Sequence, residues 1–461
     1  MARRARTLLA YLCALVAMAL PSVGEAAFTN VSSGAGLNLG GSKAGGAGWG
    51  DFNNDGCQDL LVNTQSSSND SRLYRQRKTG GTCLGTFEDV TSSHAAGMSA
   101  RVLERSAIWV DLNGDGHLDF VRNTSSRLEI YLNKGPGASP PYSFGVGSGQ
   151  TANQFFTSWP VNGYFNTEGV AAVDVDLDGD YDLVVDNHRN VILLLNNGSG
   201  VMSEVPHAQS GLNSHSSSDS DYIGIGDLNN DNRIDIMTRR NGSGARDLFF
   251  RNSSGSTYFS SSTAIATSAD NSAKGAVLVC DFNGDGFFDV FLSSGGNRAN
   301  YFFVQNPAAP GTFTAVAPSS WNTSGVSLPS GFSGAACADI DNDGDVDLFV
   351  GGSVQRLFVN NGSSGTSLSF VSSPQGVSSS GGTRGVAVAD YDRDGDVDFF
   401  VNRHNSANQL WRNALGSTAD DYLVVLVTDA RGNAFLNARV ELQTCGGARR
   451  SPAKLLSGGM G

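Results

Sequence analysis

Short apolar runs of three to five residues recur along the chain, separated by stretches rich in Gly, Ser and Asn. They come in a fixed order. First is a run of small and β-branched residues, as in Ala107-Ile108-Trp109-Val110, Gly169-Val170-Ala171-Ala172-Val173, Ala276-Val277-Leu278-Val279 and Gly385-Val386-Ala387-Val388-Ala389. An acidic loop follows, and then a β-rich run such as Leu183-Val184-Val185 or Phe399-Phe400-Val401. The third run is bulkier: Ile130-Tyr131-Leu132-Asn133, Val191-Ile192-Leu193-Leu194-Leu195, Leu357-Phe358-Val359-Asn360, Leu410-Trp411-Arg412-Asn413. A weaker fourth closes the unit, as in Phe87-Glu88-Asp89-Val90 or Phe313-Thr314-Ala315-Val316. Four short strands per unit with turn formers between them predict the blade of a β-propeller. Small residues on the first strand suit blades that converge on an axis, and bulk on the third suits blades that splay.

The acidic loop fixes the count. The pattern D-x-[D/N]-x-D-[G/N]-x-x-D occurs seven times, beginning at Asp51, Asp111, Asp174, Asp227, Asp281, Asp339 and Asp390, which are 51 to 63 residues apart. We therefore expect an all-β, seven-bladed propeller over residues 27–416. The seventh unit has no fourth strand before the sequence changes character at Ala414-Leu415-Gly416, whereas an unassigned strand, Phe28-Thr29-Asn30-Val31, precedes the first loop. The N-terminal strand is expected to complete the last blade and close the ring, which removes open sheet edges.

Each loop has the donor spacing of a calcium site. Positions one, three, five and nine offer side-chain oxygens, position seven a backbone carbonyl, and position six is Gly in every copy but one, where the chain must turn through positive φ. The expected ligands are Asp51, Asn53, Asp55, Cys57 and Asp59 in loop one and Asp111, Asn113, Asp115, His117 and Asp119 in loop two. Loop three has Asp174, Asp176, Asp178, Asp180 and Asp182, and loop four Asp227, Asn229, Asp231, Arg233 and Asp235. Loop five has Asp281, Asn283, Asp285, Phe287 and Asp289, loop six Asp339, Asp341, Asp343, Asp345 and Asp347, and loop seven Asp390, Asp392, Asp394, Asp396 and Asp398. Hard oxygen donors favour calcium over transition metals, which want His or Cys, and over magnesium, which demands stricter octahedral geometry. The absence of Glu at position twelve and the flanking strands set the loop apart from an EF-hand. Loops three, six and seven hold five carboxylates each, the others three, so affinity should follow that order with loop four last: Asn232 replaces its turn glycine and Arg233 adds a positive charge.

Charge sharpens the picture. The chain of 461 residues carries a formal −13 from 31 basic and 44 acidic residues. The seven loops alone account for 27 of the acids and two of the bases, Arg233 and Arg393, so the rest of the chain is basic by +12. An acidic total argues against nucleic-acid binding. Seven divalent ions would almost neutralise the chain, which makes calcium an expected component of folding.

The start of the chain reads as a secretory signal peptide over residues 1–26: Arg3, Arg4 and Arg6, an apolar stretch from Leu8 to Leu20, and small residues before a cut after Ala26. Thirteen apolar residues are too few to span a bilayer, which takes about 20, and no later stretch is long enough, so an exported chain with no membrane span is expected. Cys57 and Cys83 lie in one repeat and are expected to pair; Cys280 and Cys337, among small apolar residues, read as buried thiols. Eight N-x-[S/T] sequons, from Asn30 to Asn361, are acceptors only in a host that glycosylates exported chains.

These loops and blades resemble the FG-GAP (VCBS-type) repeats of integrin alpha chains, which implies a seven-bladed propeller with calcium in hairpin loops. The opening Phe28-Thr29-Asn30-Val31-Ser32-Ser33-Gly34-Ala35-Gly36-Leu37 is similar to that of secreted relatives of cartilage acidic protein. Tyr422-Leu423-Val424-Val425-Leu426-Val427, Asn437-Ala438-Arg439-Val440-Glu441-Leu442 and Leu456-Ser457-Gly458-Gly459-Met460-Gly461 look like the first two-thirds of an ASPIC/UnbV domain, so a small partial β domain is expected over 417–461. The resemblance implies adhesion or matrix binding.

Function narrows by what is missing. No GxSxG elbow or HExxH helix is present, and His94, His188, His207, His215 and His404 lie outside the metal loops without a nucleophile pattern around them. The chain is expected not to be an enzyme, and to bind an extracellular protein partner. A calcium-stabilised lectin binding glycans between blades, or the non-catalytic part of an exported enzyme, are the alternatives. The long insert from Lys134 to Thr167, with Phe155, Phe156, Trp159, Tyr164 and Phe165, offers either a stacking surface or cover for a blade edge.

Overall fold

Seven four-stranded antiparallel sheets follow one another along the chain. The computed structural model describes residues 27–37, 44–64, 71–99, 104–124, 128–144, 154–156, 167–187, 190–212, 220–240, 246–252, 255–262, 265, 275–293, 300–324, 334–373, 377, 381–415, 439–440 and 454–455. Blade one comprises Ala44–Gly50, Asp59–Thr64, Arg72–Thr79 and Thr82–Asp89, and blade two Glu104–Val110, Asp119–Thr124, Leu128–Tyr131 and Gln154–Phe156. Blade three is Thr167–Val173, Asp182–Asn187, Asn190–Asn196 and Met202–Glu204; blade four is Ser220–Gly226, Asp235–Arg240, Arg246–Arg251 and Phe259–Ser262. Blade five is Val277–Cys280, Asp289–Leu292, Tyr301–Gln305 and Phe313–Val316; blade six is Ala335–Ala338, Asp347–Val350, Arg356–Asn360 and Phe370–Ser372. Blade seven pairs Gly382–Ala389, Asp398–His404 and Gln409–Arg412 with Thr29–Asn30 from the far end of the chain.

The inner strands touch in circular order, and that of blade seven returns to that of blade one, so the ring is closed. Sterics explain the small residues there. A Cβ on Gly224 would lie 2.6 Å from Val277 Cγ1, and one on Gly226 2.5 Å from Val279 Cγ1, both on the next blade's inner strand. The core fills the seams between blades: Trp49, Leu60, Tyr74 and Phe87 of blade one pack with Ala387, Tyr391, Phe400 and Leu410 of blade seven. A side chain the size of Leu60, Phe87, Phe400 or Leu410 contributes about 1.5–3 kcal/mol on burial.

The expected closure is met. Thr29 pairs with Arg412 and Asn30 with Trp411; the Val31 N–H donates to Leu410 O at 2.9 Å, and the Leu410 N–H to Ser32 Oγ at 2.7 Å. Phe28 anchors the strand, its ring 5.3 Å from that of Phe399.

Two findings concern cysteine. Cys57 and Cys83 form the expected disulfide, which ties loop one to the hairpin of its own blade. Cys280 and Cys337 are not buried thiols: they are half-buried and joined as a second disulfide. They are 57 residues apart, one repeat length, which puts them on the inner strands of adjacent blades where backbones come closest. In the long insert, Phe155 and Phe156 belong to the outer strand of blade two, opposite Glu129 and Leu128. Trp159, Tyr164 and Phe165 lie outside the described residues, as do residues 1–26. So does most of 417–461, where Arg439–Val440 pairs antiparallel with Lys454–Leu455. Among the described residues no helix is long and apolar enough to cross a membrane.

Candidate metal centres

Every acidic loop joins the inner strand of its blade to the second strand, so all seven lie on one face of the ring. Their backbones share one hydrogen-bond scheme. The first-position carboxylate (Asp51, Asp111, Asp174, Asp227, Asp281, Asp339, Asp390) accepts the N–H of position six on Oδ2 at 2.6–3.1 Å. The fifth (Asp55, Asp115, Asp178, Asp231, Asp285, Asp343, Asp394) accepts the N–H of position seven on Oδ1 at 2.8–3.1 Å, which fixes the peptide of Cys57, His117, Asp180, Arg233, Phe287, Asp345 or Asp396. These bonds need the sixth residue in the left-handed region. The six glycines there have φ of 84 to 98°, and Asn232 takes the same region at 64°.

The ninth aspartates have a role that the donor spacing does not suggest. Asp59, Asp119, Asp182, Asp235, Asp289, Asp347 and Asp398 are all fully buried. Oδ2 of each accepts the N–H of loop position two at 2.8–3.2 Å. Oδ1 accepts an N–H from the third strand or from one of the two residues after it, at 2.7–2.9 Å. The carboxylate is therefore a clasp between loop and blade as well as a candidate ligand. Burial outweighs these bonds and pushes Asp182 up to about 7, Asp235 and Asp347 to about 8, and Asp398 to about 9, with nearby loop carboxylates adding to the rise.

The residue held by that clasp reaches onward. Asn133, Asn196, Arg251, Asn360, Asn413 and Gln76 each donate a side-chain N–H to the position-two carbonyl of the preceding blade's loop, at 2.6–3.0 Å. Blade five differs, because Gln305 Nε2 donates to Phe288 O in its own blade at 2.8 Å. The stitches were missed by the sequence reading although their signal was visible: Asn ends the third run in four of the seven units.

The loops then divide. In loops three, six and seven, the first, third and ninth carboxylates converge: ligand oxygens of Asp174, Asp176 and Asp182 lie within 4.8 Å of one another, as do those of Asp339, Asp341 and Asp347 and those of Asp390, Asp392 and Asp398. The third-position Oδ1 of Asp176, Asp341 and Asp392 is buried with no hydrogen-bond partner. Burial and the neighbouring fifth carboxylate push Asp341 and Asp392 up to about 6 and raise Asp176 as well. A buried third-position oxygen with no donor, set beside two further carboxylates, fits a hard cation. The fifth aspartate stands outside these groups of three.

Loops one, two, four and five have Asn at the third position. The Nδ2 of Asn53, Asn113 and Asn283 donates at 3.0 Å to Oδ2 of the fifth aspartate, so the amide supplies locally what a cation would. In loop four Arg233 does so, Nη1 lying 3.1 Å from Asp231 Oδ2. At the seventh position, Asp396 turns away from the loop centre: its Oδ1 accepts Asn342 Nδ2 from loop six at 3.0 Å and its Oδ2 the Leu415 N–H at 2.9 Å.

No curated protein matches the chain. Among solved structures it is similar to an Agrocybe aegerita lectin described as recognising non-reducing terminal N-acetylglucosamine, at 15% identity over 82% of this chain and 84% of that one, TM-score 0.47. A chain of the BBS1N–ARL6DN complex is 13% identical over 83% of this chain and 96% of that one, TM-score 0.48. The family model described as FG-GAP-like repeat matches six overlapping windows, 51–122, 111–185, 174–238, 227–292, 281–350 and 339–401. Each window opens on the first aspartate of one loop and ends in the second strand of the next blade. The chain belongs to the FG-GAP-like repeat family.

Proposed function

We propose that the chain is an exported, calcium-stabilised propeller that serves as a non-catalytic binding module for an extracellular protein partner. The observation that carries the calcium reading is the buried, donorless Oδ1 of Asp176, Asp341 and Asp392, each set among converging carboxylates. Asp174, Asp176 and Asp182 would hold one ion, with the equivalent residues of loops six and seven holding others. Bound calcium would supply charge neutralisation and a rigid loop, and no reaction step. Because the ninth aspartates of loops three and six also clasp Asn196 and Asn360, whose own side chains stitch to the preceding blade, an ordered loop steadies two blades at once. Export is supported by the basic-then-apolar start and the two disulfides, which persist in oxidising compartments. A rigid ring that presents seven loops on one face suits recognition.

Thermal melts of the purified chain with EDTA and with calcium test the first part: chelation should lower the melting temperature and calcium restore it, because only the folded ring assembles the ligands. Melting unaffected by either removes calcium. A matrix-protein panel run beside a glycan array tests the second, and glycan-only binding would make the module a lectin.

A further inference from the structure

Arg412 stands where the other two all-acid loops have an apolar neighbour. It precedes Asn413, whose N–H is held by the clasp of Asp398; the same place is Leu195 in blade three and Val359 in blade six. Its Nε lies 2.7 Å from Asp392 Oδ2 and its Nη2 3.3 Å from Asp394 Oδ2, so one guanidinium spans the third and fifth carboxylates of loop seven. Blade one has an arginine at this place too. There Arg75 pairs with Glu88, directly opposite on the outer strand, whose Oε1 accepts its Nε–H at 2.7 Å. In blade seven the outer strand is borrowed from the N-terminus and sets Thr29 opposite Arg412. Threonine carries no charge, and the guanidinium turns to the loop instead.

We propose that Arg412 is a built-in competitor for the metal of loop seven, an occupancy-determining residue created by the way the ring closes. The proposal rests on the calcium reading above. A divalent ion needs the same carboxylate oxygens, and two cations a few ångströms apart repel, so the ion enters only as the guanidinium leaves. Arg412 has room to leave: its side chain is 47% exposed and borders a groove of about 350 Å³ whose wall includes Val31, Ala35, Leu84 and Tyr391. Loop seven therefore binds more weakly than loops three and six, despite an equal count of acids.

Calorimetric calcium titration of the full chain tests this with two variants. Arg412→Leu installs the residue of blade three, and Thr29→Glu installs the cross-strand acid of blade one while keeping the arginine. Each should raise the affinity of one site by roughly fivefold, and adding Asp392→Asn should abolish that gain and so identify the site as loop seven. In EDTA, Arg412→Leu should also melt below the wild-type chain, since the carboxylates lose their resident cation. If loops three and six take up calcium and neither variant strengthens a further site, the competitor is refuted and the calcium reading stands. If no variant takes up calcium at any loop, that reading fails and the competitor with it. A chain with Thr29→Glu that folds and titrates decides the matter even where Arg412→Leu does not fold.

Discussion

Loops six and four are the same turn with opposite electrostatics. Both clasp the third strand through a buried ninth aspartate, Asp347 or Asp235, and both stand on the same inner-to-second-strand connection. Loop six meets its own charge with five carboxylates and a donorless Asp341 Oδ1, whereas loop four has three carboxylates, Asn229 and Arg233 paired to Asp231. The turn is thus carried by the backbone bonds and the clasp. On the proposed calcium reading the ion is a second layer, needed most where carboxylates converge and replaceable where an amide or guanidinium stands in.

Removing the clasp should have the largest effect, and an equal one on both sides of the comparison. Asp347→Ala and Asp235→Ala each leave two N–H groups of loop and third strand without their acceptor and should cost roughly 3–5 kcal/mol of stability in urea titrations. A severe loss in one and none in the other would show that the two turns are not built alike.

Next in size is the pH response of the metal-free ring. Asp341 and Asp392, raised to about 6 by burial and by the neighbouring fifth carboxylate, and Asp347 and Asp398, raised to about 8 and about 9 by burial, all lie above the unfolded carboxylate value of about 4. The native state then binds more protons than the unfolded chain. The stability these groups contribute is fully present below the unfolded value and is lost as pH rises through the folded ones. In EDTA the melting temperature should fall between about pH 5 and about pH 9. Calcium binds the deprotonated carboxylates, so the gap between calcium and EDTA melts should widen over the same range. A gap that narrows on raising pH would contradict the placement of these charges.

Much of this was legible in the chain. The nine-residue signature and the order of small, acidic and bulky runs placed the blades, and the stray Phe28-Thr29-Asn30-Val31 named the closing strand. The distinction between loops with Asp and with Asn at the third position was also visible, because it depends on residues within one turn. What escaped depends on neighbours far apart in sequence. Arg412 reads as one more strand residue until Thr29 is seen opposite it, and Cys280 looks like a core thiol until Cys337 lies on the adjacent inner strand. The stitch from Asn413 to Ile340 spans a blade seam in the same way.

A smaller effect should convert loop four toward loop six. Arg233→Val with Asn229→Asp removes the resident cation and adds a carboxylate; it should bring in a calcium site that calorimetry detects, while stability in EDTA falls by about 1 kcal/mol or less. An additional site with no cost in EDTA would mean that Arg233 does nothing for the empty turn.

The central claim is that loops in which three carboxylates converge on a donorless oxygen need the ion most, that the Arg412 guanidinium lessens that need in loop seven, and that loops with an amide in place of the third carboxylate do not need it. Crystals grown across a series of limiting calcium concentrations, with site occupancies refined from anomalous scattering, test it most directly. The loops at Asp174 and Asp339 should fill first, that at Asp390 after them, and that at Asp227 last. Occupancy at Asp227 while Asp174 and Asp339 stand vacant would contradict it.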